Sequence, residues 1–160
     1  FRINRSLEHV MSTLRVETPM SVSMLGYGGL VPFVLLTLAL WAEPSDSSFW
    51  TLALVSYGAV ILSFVGAIHW GIAMMSQELG PRMAHRRFMW SVVPSLMGWI
   101  ATLLPSQLGV WLLVGGFALH YWQDHLLQTH MKLPHWYLPL RRRLSVVACL
   151  SLLAASWVVG

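Results

Sequence analysis

Asp124 is the one acidic residue that falls inside an apolar stretch of this chain, and His120 precedes it by four positions. That spacing puts both side chains on one face of a helix. His69 sits deep in a second apolar stretch, followed by Trp70. A polar group at membrane depth is costly, so these few residues carry information. Four chemistries are open to them. The first is a set of mutually satisfied polar groups that fixes helix register. The second is a pocket for a quinone, lipid or tetrapyrrole lined by Trp and His. The third is a proton or solute path through His69 and Asp124. The fourth is haem or metal ligation by His69 and His120. No tight ligand motif such as HExxH is present, so neither a metal nor a resident cofactor is predicted, and bound lipids are expected. His125, His130 and His135 recur in a polar connection and are read as solvated or headgroup-contacting.

Enzyme signatures are absent: the chain holds no GxSxG, no P-loop and no dinucleotide fingerprint. The glycines at Gly26, Gly28 and Gly29 begin an apolar span rather than follow a strand, so they do not form a phosphate loop. Cys149 is the single cysteine, which excludes a disulfide, a CxxC redox pair or a thiolate zinc cluster within one chain. The reading leans away from an enzyme, and a membrane enzyme, which would need an ordered cofactor, stays open as a third class.

The elements that must position these residues follow from composition. Of 160 residues, 10% are charged and 56% hydrophobic, against about 25% charged in a typical soluble domain. So few charges cannot cover a soluble surface, and they also exclude disorder. A spanning helix needs about 20 mostly apolar residues. Five stretches qualify, at about 21–42, 49–75, 88–104, 108–125 and 144–160. Strand-spaced alternation is missing, so a barrel is not expected. The fold class read here is all-α: a polytopic five-helix transmembrane bundle forming one domain over 21–160.

Basic residues fall on alternate sides of these spans. Arg2, Arg5 and Arg15 precede the first, Arg82, Arg86 and Arg87 follow the second, and Lys132 with Arg141, Arg142 and Arg143 follows the fourth. Glu43 and Asp46 hold the opposite side. The positive-inside rule then gives an inside N-terminus and an outside C-terminus, and the net charge of +4 is read as orientation, not nucleic-acid binding. This orientation places Tyr27, His69, Trp70, Trp90, His120, Asp124 and Arg141 in one inner-leaflet layer. Asp124 is expected to accept hydrogen bonds from His69, Arg141 or both, because an ionised carboxylate there needs a partner.

Ala59, Ser63, Ala67 and Gly71 form a small-residue ridge along the second span, expected to pack helices closely at the bundle centre. Pro32 and Pro94 are expected to kink the first and third spans. Residues 1–20 carry Ile3, Leu7, Val10, Met11 and Leu14 at helical spacing, which reads as an amphipathic interfacial helix. The chain begins at Phe1, as it would after removal of a mitochondrial transit peptide or in a fragment of a longer bacterial chain.

Two stretches carry a resemblance. One is Gly26-Tyr27-Gly28-Gly29-Leu30-Val31-Pro32-Phe33, and the other runs from Tyr57 through His69-Trp70-Gly71. With Asp124 and Pro134-His135-Trp136-Tyr137 before Leu140-Arg141, they resemble the transmembrane protein 69-like family. That family has no established biochemical function. The resemblance implies a small polytopic inner-membrane protein of proteobacteria or mitochondria. In length, span number and tryptophan content the chain is also similar to tryptophan-rich sensory and translocator proteins, an architectural analogy only. The expected role is a non-catalytic membrane subunit or assembly element of a larger inner-membrane complex, respiratory in kind, with lipids and other integral membrane subunits as partners. The alternative is a binder or carrier of a hydrophobic small molecule. The expected location is the mitochondrial inner membrane, with the bacterial cytoplasmic membrane as the alternative.

Overall fold

The computed structural model describes residues 18–77 and 79–159, and among them all regular structure is helical. Six α-helices follow one another: α1 Met20–Gly28, α2 Val31–Ala42, α3 Ser47–Met75, α4 Pro81–Leu103, α5 Ser106–Gln128 and α6 Tyr137–Val159. A single 3-10 turn, Pro44–Asp46, links α2 to α3. The amphipathic helix expected at 1–20 falls largely outside the described residues.

Pro32 explains why the first apolar stretch is two helices. It sits in the first turn of α2, where a missing N–H costs nothing, and the chain turns at Gly29 and Leu30 just before it. The Tyr57 hydroxyl donates to the Gly29 carbonyl at 2.8 Å, so the break is satisfied from α3. Pro94 behaves differently, because α4 runs on through it to Leu103.

α4 and α6 begin well before the apolar stretches expected at 88 and 144. Arg82, Arg86, Arg87, Arg141, Arg142 and Arg143 therefore stand on helices, not in connections. Pro81 is a good first helical residue, so α4 nucleates as soon as the loop allows. Apolarity marked only the part of each helix that lipid would tolerate. Two segments, Met20–Ala42 and Pro44–Met75, are long and apolar enough to cross a membrane on length and composition. α4, α5 and α6 have 23 residues each, about 34 Å of helix, but carry more polar residues.

α3 packs against α2, α4, α5 and α6. Its packing face is set by Gly58, Leu62, Val65, Gly66 and His69 rather than by the small-residue ridge. Ala59 does pack, and Gly98 of α4 approaches it so closely that an added Cβ would lie 2.9 Å from the Ala59 carbonyl oxygen. Farther along, the ridge rotates outward: Ala67 and Gly71 are exposed. The core residues Phe33, Leu54, Leu62, Leu113, Phe117 and Leu152 come from four helices, with Phe33 set edge-on to both Tyr57 and Phe117.

Charge is divided between the two ends. His69 lies near the end of α3, Trp90 near the start of α4, Asp124 near the end of α5 and Arg141 near the start of α6. The antiparallel path brings these termini together, with every described Lys and Arg at that end. Glu43 and Asp46 stand at the other, where α2 meets α3.

Candidate functional site

Asp124 is fully buried and accepts from three donors on two helices. His69 Nε2 donates to Oδ1 at 2.9 Å, and the Tyr137 hydroxyl donates to the same oxygen at 3.1 Å. Arg141 Nε donates to Oδ2 at 2.8 Å. α3 and α6 thus meet on a carboxylate supplied by α5. Asp124 and Arg141 make a buried, charge-neutral pair, and the imidazole of His69 acts as a further donor.

His120 forms the second layer. Its Nε2 stands 3.8 Å from Asp124 Oδ1, beyond hydrogen-bond reach. Its Nδ1 accepts from the Trp90 indole N–H at 3.3 Å, with the rings 13° from parallel. It meets the His69 ring edge-on, centroids 4.9 Å apart and planes 64° from parallel. Three buried polar atoms in this cluster have no hydrogen-bond partner: His69 Nδ1, His120 Nε2 and Arg141 Nη2.

His69, His120 and Asp124 could converge on a cation, since one ligand atom from each lies within 4.8 Å of the others. The hydrogen bonds oppose this use. A neutral His120 that accepts at Nδ1 carries its proton on Nε2, the nitrogen that faces Asp124, and a protonated nitrogen cannot ligate. A cation on Oδ1 would also have to displace the His69 and Tyr137 donors from that oxygen. What the arrangement does chemically is tie α3, α5 and α6 at one register, with α4 joined through Trp90.

Of the seven residues expected in one layer, five come together: His69, His120, Asp124, Arg141 and Trp90. Tyr27 lies apart and accepts from Arg143 Nη1 at 3.3 Å. Trp70 is half exposed and sits edge-on to Phe88. Both share the end of the molecule with the cluster, but their helix faces point elsewhere.

Tyr137 and Arg87 also stand at this site; the sequence reading has Tyr137 in the Pro134-His135-Trp136-Tyr137 motif and Arg87 in a basic run, but neither in the polar layer. Tyr137 lies four residues before Arg141, so both reach Asp124 from one face of α6. That signal appears only once α6 is known to begin at Tyr137. Burial, aided by the Asp124 carboxylate, holds the Tyr137 hydroxyl above the usual phenol range. Arg87, also buried, donates from Nη1 to the Gln123 carbonyl at 3.3 Å and to Gln123 Oε1 at 3.2 Å. Beside it an open cleft of about 400 Å³ runs between α4 and α5, lined in part by Trp90 but not by His69 or Asp124.

A family model described as a protein of unknown function (DUF3429) matches residues 18–157. Transmembrane protein 69 of Xenopus tropicalis is 34% identical over 148 residues, covering 87% of this chain and 54% of that protein. Transmembrane protein 69 of Mus musculus is 28% identical over 143 residues, covering 87% of this chain and 56% of that protein. The chain spans about half the length of the curated relatives it matches. No solved structure matches it.

Proposed function

Since the chain belongs to the transmembrane protein 69-like family (DUF3429), membrane proteins of unknown function, we propose that it is a non-catalytic subunit or assembly element of a larger inner-membrane complex, respiratory in kind. In this reading five helical rods cross the bilayer, α1 and α2 together forming the first. The N-terminus lies inside and the C-terminus outside. The charge division supports the orientation, because the described basic residues share one end and Glu43 and Asp46 the other.

One observation carries the non-catalytic reading. The cluster of titratable side chains is sealed: His69, His120 and Asp124 are all 0% exposed. A reacting group needs a route for substrate, and a carboxylate held by Arg141, His69 and Tyr137 is already committed to the protein's own donors. Outside the cluster, large apolar side chains such as Phe64, Met74, Leu96 and Trp99 are exposed, which suits contact with lipid and with other membrane helices. The mitochondrial location is supported by the basic amphipathic pattern over the first fifteen residues and by relatives from animals.

The test is extraction of the full-length protein in mild detergent from mitochondria, followed by native gel separation. A discrete larger species with reproducible partners is expected. Migration at the monomer mass with no co-purifying protein would sink the subunit reading. Protease protection of tagged termini in mitoplasts reads the orientation and compartment in the same preparation.

A further inference from the structure

Among the described residues two guanidiniums are buried at the basic end, Arg87 at 4% exposure and Arg141 at 6%, and one carboxylate is buried with them. Asp124 is taken by Arg141, His69 and Tyr137. Among the described residues, Arg87 reaches the neutral acceptors of Gln123, and its Nε finds no hydrogen-bond partner there. The other acidic residues among those described, Glu43 and Asp46, stand at the opposite end of the 29-residue α3. A buried charge without a counterion is strongly unfavourable, so Arg87 calls for an anion.

Arg87 lines the open cleft between α4 and α5. Its charged lining is one-signed: Arg86 joins Arg87, His85, Gln123 and His130 add neutral polar atoms, and no carboxylate is among the lining residues. The rest of the wall is apolar, from Met83, Met89, Val93 and Leu126. The volume, about 400 Å³, lies within the range of small-ligand sites, roughly 300–1,000 Å³.

We propose that this cleft binds a phosphate group, with the headgroup of an anionic membrane lipid as the source that its apolar walls favour. Guanidiniums meet phosphate oxygens in a planar fork, so Arg87 supplies the fixed, buried contact and exposed Arg86 closes on the anion from the rim. Met83, Met89, Val93 and Leu126 receive the upper part of the acyl chains. The lipid's charge balances Arg87 and so completes the electrostatics of this end. This site is independent of the subunit reading, since a monomer would contain it whole.

The full-length protein in mild detergent is titrated with dioctanoyl phosphatidylglycerol, dioctanoyl phosphatidylcholine and inorganic phosphate, with bound species counted by native mass spectrometry. The anionic lipid is expected to bind at least tenfold more tightly than the zwitterionic one. Arg86→Gln is expected to weaken it about tenfold, the worth of one charge-assisted contact. Because Arg86 is exposed, this variant folds even if Arg87→Gln does not. Exposed Arg142, outside the cleft, is the control, and Arg142→Gln is expected to change affinity less than twofold. Inorganic phosphate that binds and displaces the lipid completely assigns the site to free phosphate; failure to displace assigns it to the headgroup. The proposal is overturned if the two lipids bind alike, or if Arg142→Gln weakens binding as much as Arg86→Gln. It is equally overturned if Glu78→Gln and Arg87→Gln prove strongly coupled in lipid-free detergent, which would make Glu78 the counterion.

Discussion

Replacing Asp124 tests the central physical claim, that one buried carboxylate holds three helices in register. Asp124→Ala strands the Arg141 guanidinium at 6% exposure, the His69 N–H and the Tyr137 hydroxyl, all of which now donate to it. Removing one partner of a buried ion pair costs about 3–5 kcal/mol, against about 0–1 kcal/mol for an exposed pair. That corresponds to about two to three and a half powers of ten in the unfolding constant. Asp124→Asn keeps the volume and one acceptor for neutral donors, so it should fall at the lower end. The assay is equilibrium unfolding of the purified protein by SDS in mixed micelles, read by tryptophan fluorescence. Exposed Asp46→Asn is the control and should stay within about 0.5 kcal/mol. The decisive measurement is a cycle with Arg141→Met. Removing both charges abolishes the unpaired ion, so the double variant should recover at least about 2 kcal/mol relative to the sum of the singles, where independent sites add within about 0.5 kcal/mol. Additive losses, or a cost under about 1 kcal/mol for Asp124→Ala, would refute the reasoning.

Other outcomes follow from the same geometry. Gly98→Val should destabilise by about 1–3 kcal/mol or more in the same unfolding assay, because its Cβ would meet the Ala59 backbone at 2.9 Å. Gly71→Ala and Gly115→Ala, which meet nothing within 4 Å, should be neutral or slightly stabilising. Tyr137→Phe should cost about 1 kcal/mol near neutral pH. Because folding raises the Tyr137 pKa, its contribution is fully present below the unfolded value of about 10 and fades as pH rises from there through the folded value. The gap between wild type and Tyr137→Phe should therefore narrow in strongly alkaline unfolding curves; a constant gap would contradict the burial. Cys149, half-buried with its thiol toward the Val114 carbonyl, should react slowly with a maleimide in the folded protein and quickly in SDS.

Much of the helical organisation was legible in the residues. Charge scarcity and the five apolar stretches located the helical rods, because lipid-compatible helices must be long and uncharged. Their ends were not legible. Apolarity stops where the arginines begin, but backbone hydrogen bonding continues, so α4 starts at Pro81 and α6 at Tyr137. Tyr137 was missed for that reason. The small-residue ridge was misjudged for another. Spacing of four drifts around a helix of 3.6 residues per turn, so Ala59 packs while Ala67 and Gly71 rotate outward.

The sequence by itself determined the scarcity of charge, the separation of basic from acidic ends, and the rule that Asp124 must find a donor. Those are statements about solvation energy, and they hold for any fold these residues adopt. Only the tertiary structure decided which donors Asp124 finds. His69, Tyr137 and Arg141 lie 55, 13 and 17 residues from it along the chain, and helix rotation, not spacing, selects the faces that meet. The same rotation leaves Tyr27 and Trp70 outside the cluster and buries Arg87 against Gln123. Periodicity within one helix fixes which residues share a face; the azimuth of that face toward its neighbours is set by packing, such as that of Gly66 against Pro94 and Gly98 against Ala59.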